Sequence, residues 1–510
     1  MTKFNKPAKN TAVTTNYEGE KAFKLTPELE LYTAVVTSTL SNKYYETSDG
    51  RVERIRALIA ASDPEFVAKL AVYAREKMYM RTMPLVVTAE LAHVHNNDNL
   101  VSRLTGRVVQ RVDEITELLA YYLLLNKRSA GVKKLNKLSN QIRKGLAASF
   151  NKFSEYQFAK YDRAGEIKLR DALFLAHPVA KNAEQQELFD KIVESNLKVP
   201  YTWEVQLSEV GQKKYETEEL KKVAFKKKWE ELIDSGKMGY MATMRNLRNI
   251  LEAGVDVKHL KKVCEFLSDK EEVSTSKQFP FRFLSAYREI KDVATGKAPM
   301  VLDALEEAMQ ASAENIKGFG YNTSVVIACD TSGSMQTTIS ERSKIQNYDI
   351  GLVLGMLLQS KCKDVATGIF GDTWKIINLP KQSILANADE LHRREGEVGY
   401  STNGYLVLED LLNRNYQADK IMIFTDCQLW NSNGGYYRGG DMSALWTKYK
   451  AKFPESKLYL FDLSGYGNTP LQVERNGVHL IAGWSDKVFD ILEALENSKS
   501  ALSEIEAIKL

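Results

Sequence analysis

A chain of 510 residues, 44% apolar and 27% charged, is long enough for about two to four domains and has an ordinary globular composition. It holds no 18-residue apolar run and no signal-peptide core at residues 1–7, and its four scattered cysteines (264, 329, 362 and 427) lack zinc spacing, so a soluble protein of the reducing cytoplasm is expected, away from any membrane. The net charge of +4 hides an asymmetry: residues 321–510 carry 19 Lys and Arg against 23 Asp and Glu, a net of −4, leaving +8 on residues 1–320.

Residues 1–25 are polar and are expected to be poorly ordered. From 26 to about 315 the sequence reads as helices in succession. Pro64–Ala74 has apolar residues at helical spacing, with Asp63 at the capping position and proline first. Leu85–His93 is its partner; Leu100–Val109 and Ile115–Leu125 form the next pair. Further helices are predicted over 135–150, 183–196, 218–234, 240–252, 256–267, 280–291 and 300–313. Helices in such number and in pairs point to an all-α, HEAT-like solenoid, whose stacked pairs bury a continuous core.

Charge is concentrated within this region. Asn126–Phe150 holds seven basic residues (Lys127, Arg128, Lys133, Lys134, Lys137, Arg143 and Lys144) and no acidic one. Lys133, Lys137 and Lys144 fall near one arc, as on a solvated helix face, but such a face normally mixes signs. The run is therefore read as a binding site for phosphate. Phe150, Phe153, Tyr156, Phe158 and Tyr161 follow it and offer stacking surfaces, although Phe150, Phe153 and Tyr161 share a helical face that favours core packing. His93 and His95 lie two apart, off a common helical face, and read as helix-end packing or loop exposure.

Beyond about 320 the pattern changes. Strands predicted at 323–330, 364–371, 373–379, 420–426, 457–463 and 477–482 alternate with helices at 344–360, 403–415, 442–452 and 485–496. This predicts a doubly wound, mostly parallel α/β sheet. The expected domains are a flexible segment 1–25, a helical-repeat domain 26–320 and an α/β domain 321–510, with the boundary near Gly318-Phe319-Gly320.

The apolar segment Ser324–Cys329 closes on Asp330-Thr331-Ser332-Gly333-Ser334, which sets one carboxylate and two hydroxyls in a tight loop. Hard oxygen donors of this kind suit a divalent ion, Mg²⁺ first, with Mn²⁺ or Ca²⁺ as alternatives, and suit Zn²⁺ poorly. Gly399–Gly404 brings Thr402 ahead of an apolar helix, and Lys420–Thr425 is a second buried strand followed by Asp426. Ligands gather outside the carboxyl ends of parallel strands, so Asp330, Ser332, Ser334, Thr402 and Asp426 are expected to meet at one rim. All five match the metal-ion-dependent adhesion site that this region resembles, that of von Willebrand factor A domains. As a helix cap and a loop carboxylate, Asp330 and Asp426 would leave the order of three oxygen-rich loops unexplained. Strand alternation turns Cys329 and Cys427 away, as small core residues. Gly465-Tyr466-Gly467 lacks the third glycine of a dinucleotide loop.

Several segments of the helical region resemble the TROVE module of Ro ribonucleoproteins. They are Leu70–Glu76 with Met80–Pro84, Asp171–Pro178, Met241–Asn249 and Pro280–Tyr287. With the α/β part, the resemblance runs from about 26 to 495, in the module order and length of a bacterial or phage-borne Ro protein. It implies a monomeric ring of helical repeats bridged by the von Willebrand factor A domain. Small structured Y RNAs would bind the basic outer surface, and single-stranded 3′ ends of misfolded RNA would enter the hole. It also implies tethering to an exoribonuclease, polynucleotide phosphorylase, and no catalytic activity. The family's RNA-contacting segment maps onto Lys160 and His177, with Arg163 after a one-residue shift. Many relatives carry Arg where this chain has Phe174; Lys168 and Arg170 are placed to compensate.

The leading reading is therefore a non-catalytic RNA-binding protein of RNA quality control or decay. The alternative is a metal-dependent protein-interaction scaffold, and a metal-dependent nuclease would need more clustered carboxylates than two. The glycine-rich loop 430–440 is expected to bring Tyr436, Tyr437 or Arg438 to a ligand.

Overall fold

The structure, a computed structural model, describes residues 12–38, 43–126, 138–162, 165–313, 322–339, 343–362, 364–432, 441–483, 485, 487–496 and 502–510. It forms two compact units: Arg54–Lys214 with Glu504–Leu510, and Met1–Glu53 with Tyr215–Ser503.

The first unit is helical. Pro64–Glu76 packs on Thr82–Val94, and Leu100–Val108 packs on Asn140–Phe150. Asp63 holds the capping position of the first helix but makes no side-chain bond there, so proline preorganises that turn without help. Leu100–Val108 and Asn140–Phe150 touch almost backbone to backbone at Gly145, where a Cβ would lie 2.4 Å from Thr105 Cβ. The chain's last residues return to this unit: the Lys69 ammonium donates to the Glu506 carbonyl (3.2 Å), and Arg107 donates to that of Lys509.

The second unit joins helices to a sheet. Its six-stranded sheet contains β3 (Ser324–Asp330), β4 (Asp364–Phe370), β5 (Trp374–Ile376), β6 (Lys420–Thr425), β7 (Lys457–Asp462) and β9 (Val478–Ala482). The order is β5-β4-β3-β6-β7-β9, parallel except for β5. The central strands are buried on both faces, as their unbroken apolar runs require. Helix Pro280–Lys291 is bound to the helices flanking this sheet through Arg288, which donates to Asp349 (2.9 and 2.7 Å) and Asp389 (3.1 Å).

The expectation of a poorly ordered 1–25 does not hold for residues 12–25. β1 (Val13–Thr15) and β2 (Lys21–Lys24) form a hairpin, and β2 pairs with β8 (Asn468–Thr469), with Phe23 opposite Thr469. Helix Pro27–Val36 follows, capped by Thr26, and its Tyr32 hydroxyl reaches the Ala482 carbonyl at 3.1 Å. Gly465 and Gly467 serve this contact rather than a phosphate. A Cβ at Gly465 would lie 2.4 Å from Thr37 Oγ1, and one at Gly467 would lie 2.8 Å from Glu30 Oε1. Because residues 12–53 and 215–313 pack with the α/β part, compactness does not divide the chain near 320. Helix 240–252 is two helices, Tyr240–Arg245 and Leu247–Glu252, since the Asn246 side chain bonds back to the Ala242 carbonyl (2.9 Å).

Candidate metal centre and basic face

The carboxyl ends of β3 and β6 are neighbours because their register sets Cys329 opposite Phe424, leaving Asp330 and Thr425–Asp426 side by side. Asp330 Oδ1 accepts the Ser332 N–H (2.9 Å), and Oδ2 accepts the Thr425 hydroxyl (2.6 Å). The Ser332 and Ser334 hydroxyls lie 3.4 Å apart. Backbone bonds fasten the three loops together: Gly333 N–H to the Tyr400 carbonyl (3.1 Å) and Trp430 N–H to the Thr402 carbonyl (3.1 Å). The five residues expected at one rim are thus gathered there, all buried.

Among the described residues, two buried atoms of this rim have no hydrogen-bond partner, Thr402 Oγ1 and Asp426 Oδ2. Burial pushes both carboxyls above the ordinary aspartate range; for Asp426 the charge of Asp330 adds to it. Two buried carboxylates, three hydroxyls and unsatisfied oxygens form a donor set that fits a hard divalent cation. Cys427, between Asp426 and Gln428, has a φ of 63°, a conformation that non-glycine residues adopt rarely. Its thiol and that of Cys329 are buried, and burial raises both pKa values, as for core residues.

Sequence reasoning missed the groups that surround this rim. Asp462, a third buried carboxylate at the end of β7, accepts the N–H groups of Ser464 and Gly465 (2.9 and 2.7 Å). Lys43 donates to the carbonyls of Leu463 and Ser464 (3.3 and 3.4 Å), and Arg51 donates to that of Ser464 (2.6 Å). Tyr45 lies beside this group: its N–H donates to the Tyr466 hydroxyl (3.5 Å) and its hydroxyl to the Glu18 carboxylate.

The basic face belongs to the other unit. Arg143 is half-buried and Lys144 exposed on helix Asn140–Phe150. The Lys160 ammonium lies 5.8 Å from the Tyr156 ring and 5.6 Å from the Tyr161 ring. Tyr161 is also covered by the Arg111 guanidinium at 4.5 Å, a partner sequence reasoning did not supply. Lys168 and Arg170 are exposed at the start of helix Leu169–Ala176, and the Arg170 guanidinium lies 5.6 Å from the Phe174 ring. His177 is exposed at that helix's C-cap, with a φ of 48°. Phe150, Phe153 and Phe158 are core, whereas Tyr156 is 46% exposed. Lys127, Arg128, Lys133, Lys134, Lys137 and Arg163 lie outside the described residues, as do Tyr436, Tyr437 and Arg438. His93 stacks on Tyr122 (4.8 Å), and His95 meets Asp98 (2.8 Å).

Comparison with known proteins agrees with this architecture. A sequence model of the TROVE domain matches residues 29–228 and 197–315. Telomerase protein component 1 of Mus musculus is 26% identical over 311 residues, covering 46% of this chain and 11% of that protein. Its Rattus norvegicus counterpart is 25% identical over 335 residues, covering 50% and 12%. The chain thus spans about a tenth of the length of these curated relatives. Among solved structures, the Deinococcus radiodurans RO (RSR) protein is similar with a TM-score of 0.59 and 17% identity, over 93% of this chain and 100% of that one. This last likeness is one of fold.

Proposed function

The chain belongs to the TROVE family of RNA-binding ribonucleoproteins, and on that premise we propose that it binds small structured, Y-like non-coding RNA and single-stranded 3′ ends of misfolded RNA, in RNA quality control or decay. The carrying observation is that the family match includes the exposed side chains of Lys144, Tyr156, Lys168, Arg170 and His177. Phosphate contacts from Lys144, Lys168 and Arg170 supply affinity that falls steeply with salt, and exposed Tyr156 supplies a stacking platform for an unpaired base. The role is binding, without catalysis, in the cytoplasm. The chain acts as a monomer that hands RNA to an exoribonuclease such as polynucleotide phosphorylase. Asp330, Ser332, Ser334, Thr402 and Asp426 hold a divalent ion, Mg²⁺ by the hardness of its donors. That ion supplies an electrophilic docking point for an acidic group.

The test is to crosslink the protein in its native cell and sequence the RNA that copurifies. Enrichment of a small structured RNA, or of transcripts with unpaired 3′ ends, is expected. Recovery of no RNA above an untagged control sinks the RNA reading and leaves the metal rim as the working surface. Calorimetric titration with Mg²⁺ checks the second site, since Asp330→Ala removes the heat of binding if the rim is the metal centre.

A further inference from the structure

A second set of metal-ligating side chains meets on two helices of the unit that holds the sheet. Glu230 and Asp234 lie one turn apart on helix Glu218–Asp234, and helix Val257–Ser268 packs beside it. His259 sits in the first turn of the latter helix, and Asp256 holds its capping position without making a side-chain capping bond. Glu230, Asp256 and His259 thereby each bring a donor atom within 4.8 Å of the others. The histidine is 4% exposed. Its Nε2 lies 3.2 Å from Asp234 Oδ2, so this nitrogen donates to the carboxylate and Nδ1 keeps its lone pair. Among the described residues, Nδ1 is buried with no hydrogen-bond partner. It stands 3.6 Å from Glu230 Oε1, an oxygen that already accepts the Asp256 N–H (2.9 Å). A lone pair buried against a carboxylate oxygen is costly, and a cation between the two removes that cost.

We propose that Glu230, Asp256 and His259 bind a Zn²⁺ ion that pins helix Glu218–Asp234 to helix Val257–Ser268, with Asp234 orienting the imidazole. One imidazole and two carboxylates suit Zn²⁺ better than Mg²⁺ and leave a fourth position for water. An imidazole whose far N–H is held by a carboxylate is the usual arrangement of a metal-bound histidine. Tetrahedral bonds of about 2.0 Å set two donor atoms about 3.3 Å apart, close to the Nδ1 to Oε1 spacing. Asp256 is 56% exposed and has room to draw in. Two lysines hold the excess charge in place of the ion: Lys226 donates to Asp256 Oδ1 (2.7 Å) and Lys262 to Asp234 Oδ1 (2.9 Å). Lys226 is the competitor, because it holds a ligand, whereas Lys262 holds only the orienting carboxylate.

Isothermal titration calorimetry of the full chain with Zn²⁺ tests the site, in excess Mg²⁺ so that the rim of Asp330 and Asp426 is not what is read. Wild type is expected to take up one Zn²⁺ per chain. His259→Gln and Glu230→Gln should remove that heat. Asp256→Ala should do so as well, and it changes an exposed side chain with no capping bond to lose, so the fold is kept. Asp234→Asn leaves all three ligands in place and should weaken binding about 10–100-fold. Lys226→Met frees Asp256 and should strengthen binding by up to about fivefold, an effect that a purely structural ion-pair cluster would not show. Equal uptake by wild type, Asp256→Ala and Glu230→Gln puts the ion elsewhere and overturns the site. Absence of Zn²⁺ heat in the wild type overturns it too.

Discussion

Arg75→Met isolates what one buried charge contributes to the helical unit. The guanidinium is 8% exposed and bonds in three directions: Nε to the Val108 carbonyl (3.0 Å), Nη1 to the Met80 carbonyl (3.1 Å), and Nη2 to both oxygens of Glu114 (2.7 and 3.0 Å). Methionine keeps most of the volume and removes every donor. Glu114, fully buried, would retain the N–H groups of Gln110 and Arg111 (2.8 and 2.9 Å) and Arg81 Nε at 3.5 Å. Breaking one side of a buried pair costs about 3–5 kcal/mol, and two carbonyls losing donors add roughly 1 kcal/mol or more. We expect a total near 5 kcal/mol, about 10–20 °C in the transition of a unit of this size. Differential scanning calorimetry of the full chain reads it. Arg75→Lys should restore little, because an ammonium does not span a carboxylate and two carbonyls. Adding Glu114→Gln to Arg75→Met should recover about 2 kcal/mol by removing the stranded charge. A transition within about 3 °C of wild type for Arg75→Met would refute the reasoning.

Gly145→Ala drives a methyl to 2.4 Å from Thr105 Cβ and 2.7 Å from the Ser102 carbonyl, so the two helices must part. A loss of about 1–3 kcal/mol is expected by calorimetry, and one under about 0.5 kcal/mol would contradict the close approach. Burial alone pushes the Asp349 carboxyl up, but His392 and the Arg288 guanidinium overcome it and hold it below the ordinary aspartate range; for Asp389, Lys291 and Arg288 do the same. Folded-state values below unfolded ones stabilise the protein above the ordinary range, and that stability is lost as pH falls through the depressed values. Arg288→Met should therefore move the acid-unfolding midpoint to higher pH, followed by circular dichroism; an unmoved midpoint counts against the network. Lys144→Ala, Lys168→Ala and Arg170→Ala should each lower the slope of log affinity against log salt by about one, measured by fluorescence anisotropy with a labelled hairpin RNA. Three unchanged slopes would remove this face from the RNA interface.

The metal rim was legible because each of its residues lies within a few positions of a strand end or helix start, and strand order alone decides that such ends meet. The hairpin was not. β1 has three residues, and it sits in a polar stretch whose partner is the two-residue strand β8. No local period marks a strand completed by residues more than four hundred positions away. Helix Ile384–Arg393, absent from the sequence reading, carries Asp389 and His392, whose partners Arg288 and Asp349 are likewise remote. The aromatic run misled in one respect. Its expected single helical face is broken by Ser154, which caps a new helix, Glu155–Tyr161, so Phe158 is buried and Tyr161 lies under Arg111.

Pairing of helix Pro27–Val36 with the end of β9 sets an order of events during synthesis. The Tyr32 hydroxyl and its acceptor at Ala482 are 450 residues apart. At about 5–20 residues per second, a ribosome needs roughly 20–90 s to make that interval. For that time helix Pro27–Val36 emerges with Leu29, Leu31, Tyr32, Val35 and Val36 lacking the surface that buries them. Burial of this helix therefore waits until β8 and β9 have been made.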